Sequence, residues 1–293
     1  MKKFVLIGVG GYISPRHLKA IKDTGNILVA ALDKHDSVGI IDSYFPECSF
    51  FTEFERFDRH INKMFYKKEP VDYLSICSPN YLHDSHIRYG LRNNMEIICE
   101  KPLIINYDNF EFLKKLEKKS KKKVNVVLQL RLHPEMIKLK QKIENSDKNN
   151  YQINLEYFTP RGKWYDYSWK ADISKSGGVL MNIGVHLFDL LLWLFGDVKN
   201  WAIYRKSLYG AEGNLSLEKA DVRWKLSIKR EDCKFNNYKP HRLLEIDNNK
   251  IDINNNFTDL HTEVYEQILQ NNGYGIEDTE NSIKLINEMS KCL

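Results

Sequence analysis

Three groups of residues have the types and spacing that chemistry needs. The first is Gly8-Val9-Gly10-Gly11-Tyr12-Ile13, set between an apolar run, Phe4 to Ile7, and a helical pattern opened by Ser14-Pro15. A glycine loop lets main chain approach a pyrophosphate closely, and the free N–H groups of a helix start attract its charge. The full G-x-G-x-x-G fingerprint asks for glycine at position 13, where this chain has Ile13. The context supplies the rest: strand, loop, helix, then a second apolar strand, 27–32, closed by Asp33. A carboxylate there accepts both hydroxyls of an adenosine ribose and repels a 2′-phosphate. NAD is therefore expected over NADP, while Lys34 and His35 keep NADP open. The plain alternative is a tight turn followed by a strand-ending aspartate.

The second group is Ser78-Pro79-Asn80-Tyr81-Leu82-His83 with Glu100-Lys101-Pro102. Each follows a buried strand, 71–77 and 96–99. In open α/β sheets ligands lie outside the carboxyl ends of strands, which puts Lys101 where a nicotinamide and a substrate meet. The alternative is a surface lysine. His83 and His86 sit one helical turn apart, but no third ligand is near in sequence, so no metal is expected. The third group runs from Gly177-Gly178 to Asp189. On a helix Asn182, His186 and Asp189 fall at i, i+4 and i+7 and share one face. Polar groups on so apolar a helix are costly to bury without partners. They form either a reactive face or a satisfied core network.

The elements that carry these groups divide the chain. Strands at 4–7, 27–32, 71–77, 96–99 and 124–130 alternate with helical patterns, including 108–120, which predicts a doubly wound parallel sheet. In the second half Val222, Trp224, Leu226 and Ile228 alternate with Arg223, Lys225, Ser227 and Lys229, the mark of a strand with one buried face. Further strands are expected at 151–158 and 198–207, a hairpin turn at Asn248-Asn249-Lys250, and helices at 178–195, 258–270 and 277–291. The fold class is α/β: a Rossmann parallel sheet at 1–122, then an α+β domain with an open, largely antiparallel sheet at 123–293. An open sheet with an exposed face often becomes an oligomer interface.

Composition agrees with two globular domains in 293 residues: hydrophobic residues are 42% and charged residues 28%. The net charge of +5 is small over this length and suits an anionic small substrate as well as any polymer. The lysine run at 118–123 reads as a solvated helix end, and no nucleic-acid motif accompanies it. Five scattered cysteines without a C-x-x-C pair make neither a disulfide framework nor a zinc ribbon. A strand-like run begins at Phe4, so no signal peptide is expected; the most apolar stretch, Gly184 to Gly196, is too short to span a bilayer. A cytoplasmic protein without membrane or nucleic-acid partners is the expectation.

The glycine loop, Glu100-Lys101-Pro102 and the Gly177-to-Asp189 block together resemble the glucose–fructose oxidoreductase/inositol dehydrogenase/MocA-type oxidoreductases over essentially the whole chain. The resemblance is strongest to the branch of UDP-N-acetylglucosaminuronate 3-dehydrogenases of lipopolysaccharide O-antigen sugar synthesis. Similar segments include Pro15-Arg16-His17, Ser75 to His83, Leu128-Gln129-Leu130-Arg131, Arg161-Gly162 with Trp164-Tyr165, Asn182 to His186, and Phe257 to Thr262. The resemblance implies NAD as cofactor, a homodimer or homotetramer, and oxidation of the sugar C3 hydroxyl with NADH recycled by 2-oxoglutarate. It implies that Gly8, Gly10, Gly11, Tyr12, Ile13, Asp33, Ser78, Asn80, His83, Glu100, Lys101 and Gln129 hold the cofactor.

Lys101, as an ammonium, suits a developing alkoxide, and His186 is of the residue type whose unperturbed side chain exchanges protons near neutral pH, which suits the hydroxyl proton. Many family members have Asp where this chain has Asn182, so the base is His186, Lys101 or both, with Asn182 orienting. Arg131, Arg161, Lys163 and Lys170 are candidates for the anionic substrate groups, and Trp164 and Tyr165 for stacking on a ring. The rival readings are a dehydrogenase of another nucleotide sugar or polyol, and a non-catalytic NAD-binding regulator.

Overall fold

Phe4, Val5, Leu6 and Ile7 are all but fully buried. A strand apolar on both faces belongs inside a parallel sheet covered by helices. The computed structural model, which describes residues 1–251 and 260–292, builds that sheet. Its strands are β1 (Lys3–Ile7), β2 (Ile27–Leu32), β3 (Ser49–Phe51), β4 (Tyr73–Ile76), β5 (Glu96–Cys99) and β6 (Val124–Val126). All neighbours are parallel, in the order β3-β2-β1-β4-β5-β6. The order reverses between β1 and β4, the switch point at which such sheets bind ligands. Register sets Ile7 level with Leu32 and Ile76, Ile76 with Cys99, and Cys99 with Val126. The loops that open at Gly8, Asp33, Cys77, Glu100 and Val127 therefore leave one edge together.

The helices of this unit are α1 (Ser14–Asp23), α2 (Phe54–Tyr66), α3 (His83–Arg92) and α4 (Phe110–Ser120). In α2 the buried residues are Phe57, Ile61 and Met64, spaced to line one face. Ser14, which opens the helical pattern in the sequence, is the first residue of α1. Its hydroxyl donates back to the carbonyls of Val9 and Gly11, which ties the helix start to the glycine loop. The strand expected at 124–130 ends at Val126, and the chain turns into 3-10 geometry at Gln129–Leu132.

In place of one boundary near residue 122, the chain passes between two compact units more than once. The first comprises Met1–Ile104, Asp108–Gln129 and the described part of Thr258–Asp278; the second comprises Ile105–Tyr107, Leu130–Phe257 where described, and Thr279 onward. In the second unit α5 (Pro134–Glu144), α6 (Ile173–Ser176) and α7 (Val185–Phe195) accompany six strands. These are β7 (Tyr151–Phe158), β8 (Val198–Ser207), β9 (Gly210–Leu217), β10 (Ala220–Ser227), β11 (His241–Ile246) and β12 (Asn249–Ile251). Their order is β12-β11-β7-β10-β9-β8; only the β10–β7 pair is parallel. The hairpin turn sits one residue earlier than expected, at Asp247-Asn248, both with positive φ. The last helices are α8 (Leu260–Leu269), which belongs to the first unit and packs on α1, and α9 (Glu280–Lys291), which packs on α7. The expected start of α8 at 258 lies outside the described residues.

Trp224 of β10 meets Phe188 of α7 edge to face, 5.2 Å between centroids. The helical run Ile173–Phe195 is longer than the apolar stretch suggested and passes by length and composition as a bilayer span, yet 72% of its apolar window is buried. It behaves as a core helix. Its polar Asp189 is buried too, and Arg131 reaches it with two parallel bonds, Nη2 to Oδ1 at 2.7 Å and Nε to Oδ2 at 3.0 Å. Removing one member leaves the other charge desolvated. Arg131→Met should cost about 3–5 kcal/mol, and Arg131→Met with Asp189→Leu should recover much of it. Urea unfolding of both variants checks this; a single variant as stable as the parent would contradict it.

Candidate functional site

The first unit builds its part of the site from main chain. Gly8 has φ +92°, and a Cβ there would lie 2.5 Å from the Ser78 nitrogen and 2.6 Å from the Cys77 carbonyl carbon. Only glycine lets the loops after β1 and β4 come this close. The Gly10 N–H donates to Asp33 Oδ2 at 2.9 Å, and the His35 N–H to Oδ1 at 3.0 Å. The carboxylate is thus oriented by two amides and keeps lone pairs for further donors. Ile13, in the place of the third glycine, is the residue before α1, and Tyr12 beside it is 86% exposed. Gln129, half-buried, has its Oε1 buried with no donor among the described residues. A close-approach cradle, a fixed acid at the end of β2 and an unmet acceptor after β6 fit a dinucleotide.

Glu100 is the most constrained side chain at this edge. Its Oε1 receives His17 Nε2 from α1 at 2.9 Å and His261 Nε2 from α8 at 3.0 Å. His17 Nδ1 meets the Tyr265 hydroxyl at 2.8 Å, and that hydroxyl meets Ser75 Oγ at 2.7 Å. One proton assignment satisfies this chain: Ser75 donates to Tyr265, Tyr265 to His17, and His17 to Glu100, with neutral imidazoles. Burial alone would push the Glu100 carboxyl up, but the bonds from His17 and His261 hold it well below the usual range. Burial pulls His17 down. The three ligand-type atoms lie within 4.8 Å of one another, a metal-like grouping, yet the spacings are those of N–H···O bonds and close without an ion.

His83 is buried between two loops. Nδ1 contacts the Pro102 carbonyl at 2.7 Å and Nε2 the Ser78 carbonyl at 2.8 Å, so its ring joins the loops after β4 and β5. The structure places His83, expected at the cofactor, between these two loops, with the protonated ring nitrogen donating to one of the two carbonyls. Ser78 Oγ is paired with His86 Nδ1 at 2.9 Å, and Asn80 opens the short 3-10 turn before α3. Lys101, half-buried, follows Glu100 directly and precedes the braced Pro102.

In the second unit, five consecutive residues, Leu180–Gly184, form a π turn before α7. Such turns are frequent at functional sites and re-aim side chains. Asn182 lies on it and donates to the Tyr165 hydroxyl, which itself donates to the Lys170 carbonyl at 2.9 Å. His186 stands edge-on to the Tyr157 ring, 5.5 Å between centroids, and the Arg242 guanidinium lies 5.1 Å from the same ring. Tyr157 and Arg242 are register partners on β7 and β11. Burial pushes the Tyr157 phenol up, against the pull of Arg242 and Arg161. Among the described residues, Nε of Arg161 and Nε of Arg242 are buried without an acceptor.

The expected polar triple is therefore split. Asn182 and His186 face the two tyrosines, while Asp189 is held by Arg131. Arg131, expected as a substrate cation, is buried with its Nε and Nη2 bonded to Asp189. Lys163 and Trp164 lie exposed on the turn Lys163–Tyr167, whereas Tyr165 is buried. The Lys170 ammonium lies over both indoles, 5.6 Å from Trp164 and 5.7 Å from Trp169. Sequence reasoning missed roles for His17, His261, Tyr265, Tyr157 and Arg242; the period-2 pattern of β7 was the one signal that pointed to Tyr157.

Burial lowers His86 to about 4, so the folded chain keeps it neutral while the unfolded chain protonates it below about 6.5. Its contribution is present above that pH and is lost as pH falls toward 4, about 3 kcal/mol in all. Urea unfolding from pH 7 to 4.5 should show a shallower acid limb in His86→Asn, by about one proton. Identical limbs would contradict a neutral buried His86.

Residues 2–128 match the family model described as "Oxidoreductase family, NAD-binding Rossmann fold", and residues 140–221 its "C-terminal alpha/beta domain". Among solved structures, the chain is similar to the WlbA (WbpB) dehydrogenase of Thermus thermophilus in complex with NAD and alpha-ketoglutarate. The identity is 42% and the TM-score 0.95, over 100% of this chain and 96% of that one. A second structure of that dehydrogenase, in complex with NAD and UDP-GlcNAcA, matches at 41% identity and TM-score 0.95 over the same shares. Among curated proteins, the glucose-6-phosphate 3-dehydrogenase of Bacillus subtilis is 24% identical over 67% of this chain. The chain spans 54% of that relative's length. With both family models matched in order and the dinucleotide cradle in place, the chain belongs to the GFO/IDH/MocA family of NAD-binding oxidoreductases.

Proposed function

We propose that this protein oxidises the C3 hydroxyl of UDP-N-acetylglucosaminuronate with NAD, giving the 3-keto sugar, and that 2-oxoglutarate restores the NAD. The observation that carries this reading is the likeness, at about two residues in five over the whole chain, to a dehydrogenase crystallised with NAD and either of these two small molecules. The chain's own residues support it. Gly8, Gly10, Gly11 and Asp33 suit the dinucleotide, with Tyr12, Ile13, Ser78, Asn80 and Gln129 around it. When bound, NAD accepts the C3 hydride and, as NADH, supplies it to the C2 carbon of 2-oxoglutarate.

The remaining work falls to side chains. Lys101 offers an ammonium to the reacting oxygen, where it stabilises the charge that develops as the proton leaves. With Lys101 as the ammonium, His186 takes that proton and returns it when the oxoacid is reduced; Lys101 serves as the base only when it starts as the neutral amine. Asn182, held by the Tyr165 hydroxyl, positions the sugar or the imidazole. Arg242 lies on the ring against which His186 packs, and its unmet Nε suits the uronate carboxylate. Trp164 and Lys163 are exposed, and Lys170 shares the Trp164 indole; these suit the outer parts of a large substrate. The reading carries with it a cytoplasmic homo-oligomer acting in O-antigen sugar synthesis.

Protein loaded with NAD should form NADH on UDP-N-acetylglucosaminuronate and turn over repeatedly when 2-oxoglutarate is present. Lys101→Met should retain NAD and lose turnover by about a hundredfold or more. Wild-type turnover in that variant would remove Lys101 from the chemistry. A wild-type protein that holds NAD and leaves this sugar unoxidised would overturn the substrate.

A further inference from the structure

The second unit holds a cleft of about 180 Å³ lined by Pro160, Gly162, Arg230 and Tyr238 together with Arg161, already a candidate for the anionic substrate groups. The chain brings these together deliberately. Past β7, the Thr159 N–H bonds the Ser227 carbonyl at 2.8 Å and the Arg161 N–H the Ile228 carbonyl at 3.0 Å. The exits of β7 and β10 are thereby zipped side by side, which sets Arg161 next to the segment that begins at Arg230. A short 3-10 turn, Glu231–Asn236, then ends in two left-handed residues, Asn237 at φ 50° and Tyr238 at φ 61°. That reversal, closed by the Tyr238 N–H to the Cys233 carbonyl at 2.9 Å, puts the Tyr238 ring 4.9 Å from the Arg230 guanidinium.

Neither arginine has an ion-pair partner among the described residues, and Arg161 Nε is buried without an acceptor. The neighbouring Asp232 carboxylate is taken by the Ser227 hydroxyl at 2.6 Å. A guanidinium with a buried, unmet N–H is expensive, and an anion with several oxygens is what satisfies it. Position indicates which anion. Arg161 also acts on Tyr157 and Tyr165, the rings that contact His186 and Asn182. Arg161 thus lines the cleft with Arg230 and Tyr238 and is within electrostatic reach of the two tyrosines beside the residues proposed to hold the sugar.

Resting on the nucleotide-sugar reading above, we infer that Arg161 and Arg230 form a clamp for the diphosphate of a nucleoside diphosphate, with Tyr238 holding the Arg230 fork in place. Two adjacent guanidinium forks suit two linked phosphates, each with oxygens for bidentate bonds. A single carboxylate needs one.

The test uses NAD-loaded full-length protein, with UDP and uridine as calorimetric probes. UDP should bind the wild type, and Arg230→Gln should weaken it by about ten- to a hundredfold, with Arg230→Lys between the two. Uridine should bind weakly and equally to all three. The KM for UDP-N-acetylglucosaminuronate should rise in step with the UDP dissociation constant, while kcat changes by less than about threefold. Arg230 is exposed, so the variants should unfold with the wild type. UDP binding unchanged by Arg230→Gln, or uridine binding as tightly as UDP, would overturn the clamp. Loss of UDP binding in the variant of a protein that leaves this particular sugar unoxidised would uphold the clamp and move the substrate to another nucleotide sugar.

Discussion

Glu100 is shut away from water, and its carboxylate stays ionised only because two imidazole N–H groups point at one oxygen. A buried charge without such donors costs several kcal/mol, so the three segments that supply them are held together tightly. His17 comes from α1, Glu100 from the end of β5 and His261 from α8, with Tyr265 and Ser75 closing the chain of donors. The next residue is Lys101. Its backbone is pinned on one side by this cluster and on the other by His83, which braces Pro102 against Ser78. The same arrangement explains why a helix from the far end of the chain belongs to the nucleotide-binding unit. Its two polar residues complete a cluster that the first hundred residues leave unfinished.

From that anchor the labour divides by unit. The parallel sheet aligns its strand ends, so the glycine loop, Asp33 and Lys101 leave one edge at fixed heights. Precision there comes from main chain, which does not change rotamer. The second unit works with long, soft side chains: arginines on tyrosine rings, a lysine over indoles, an asparagine on a π turn. Such groups suit a bulky anionic substrate with several recognition points.

The Rossmann half was legible because its signal is local. Short apolar runs ending in glycine, aspartate or proline are strands buried on both faces, and five of the six were expected in place, the last of them four residues too long. The missed one, Ser49–Phe51, is only three residues long. Asp33 and the glycine loop were legible for the same reason. What escaped depends on contacts between distant residues. His17 and His261 sit in segments that resembled the family, yet nothing local shows that both aim at Glu100, 83 and 161 residues away. Arg131 looked like a substrate cation because its charge is visible in sequence and Asp189, 58 residues on, is not visibly its partner. Arg242 needs the β7–β11 register before it can be placed on Tyr157. Residues at i, i+4 and i+7 share one face only on a regular helix, and the π turn at Leu180–Gly184 interrupts it at Asn182.

The central claim is that one hydrogen passes from C3 of the sugar, through the nicotinamide, to an oxoacid on this protein. UDP-N-acetylglucosaminuronate carrying deuterium at C3 tests it most directly. Incubated with NAD-loaded protein and 2-oxoglutarate, the sugar should lose the label and 2-hydroxyglutarate should gain it at C2, with none released to water. Deuterium retained on the sugar, or 2-hydroxyglutarate formed without it, would contradict the account.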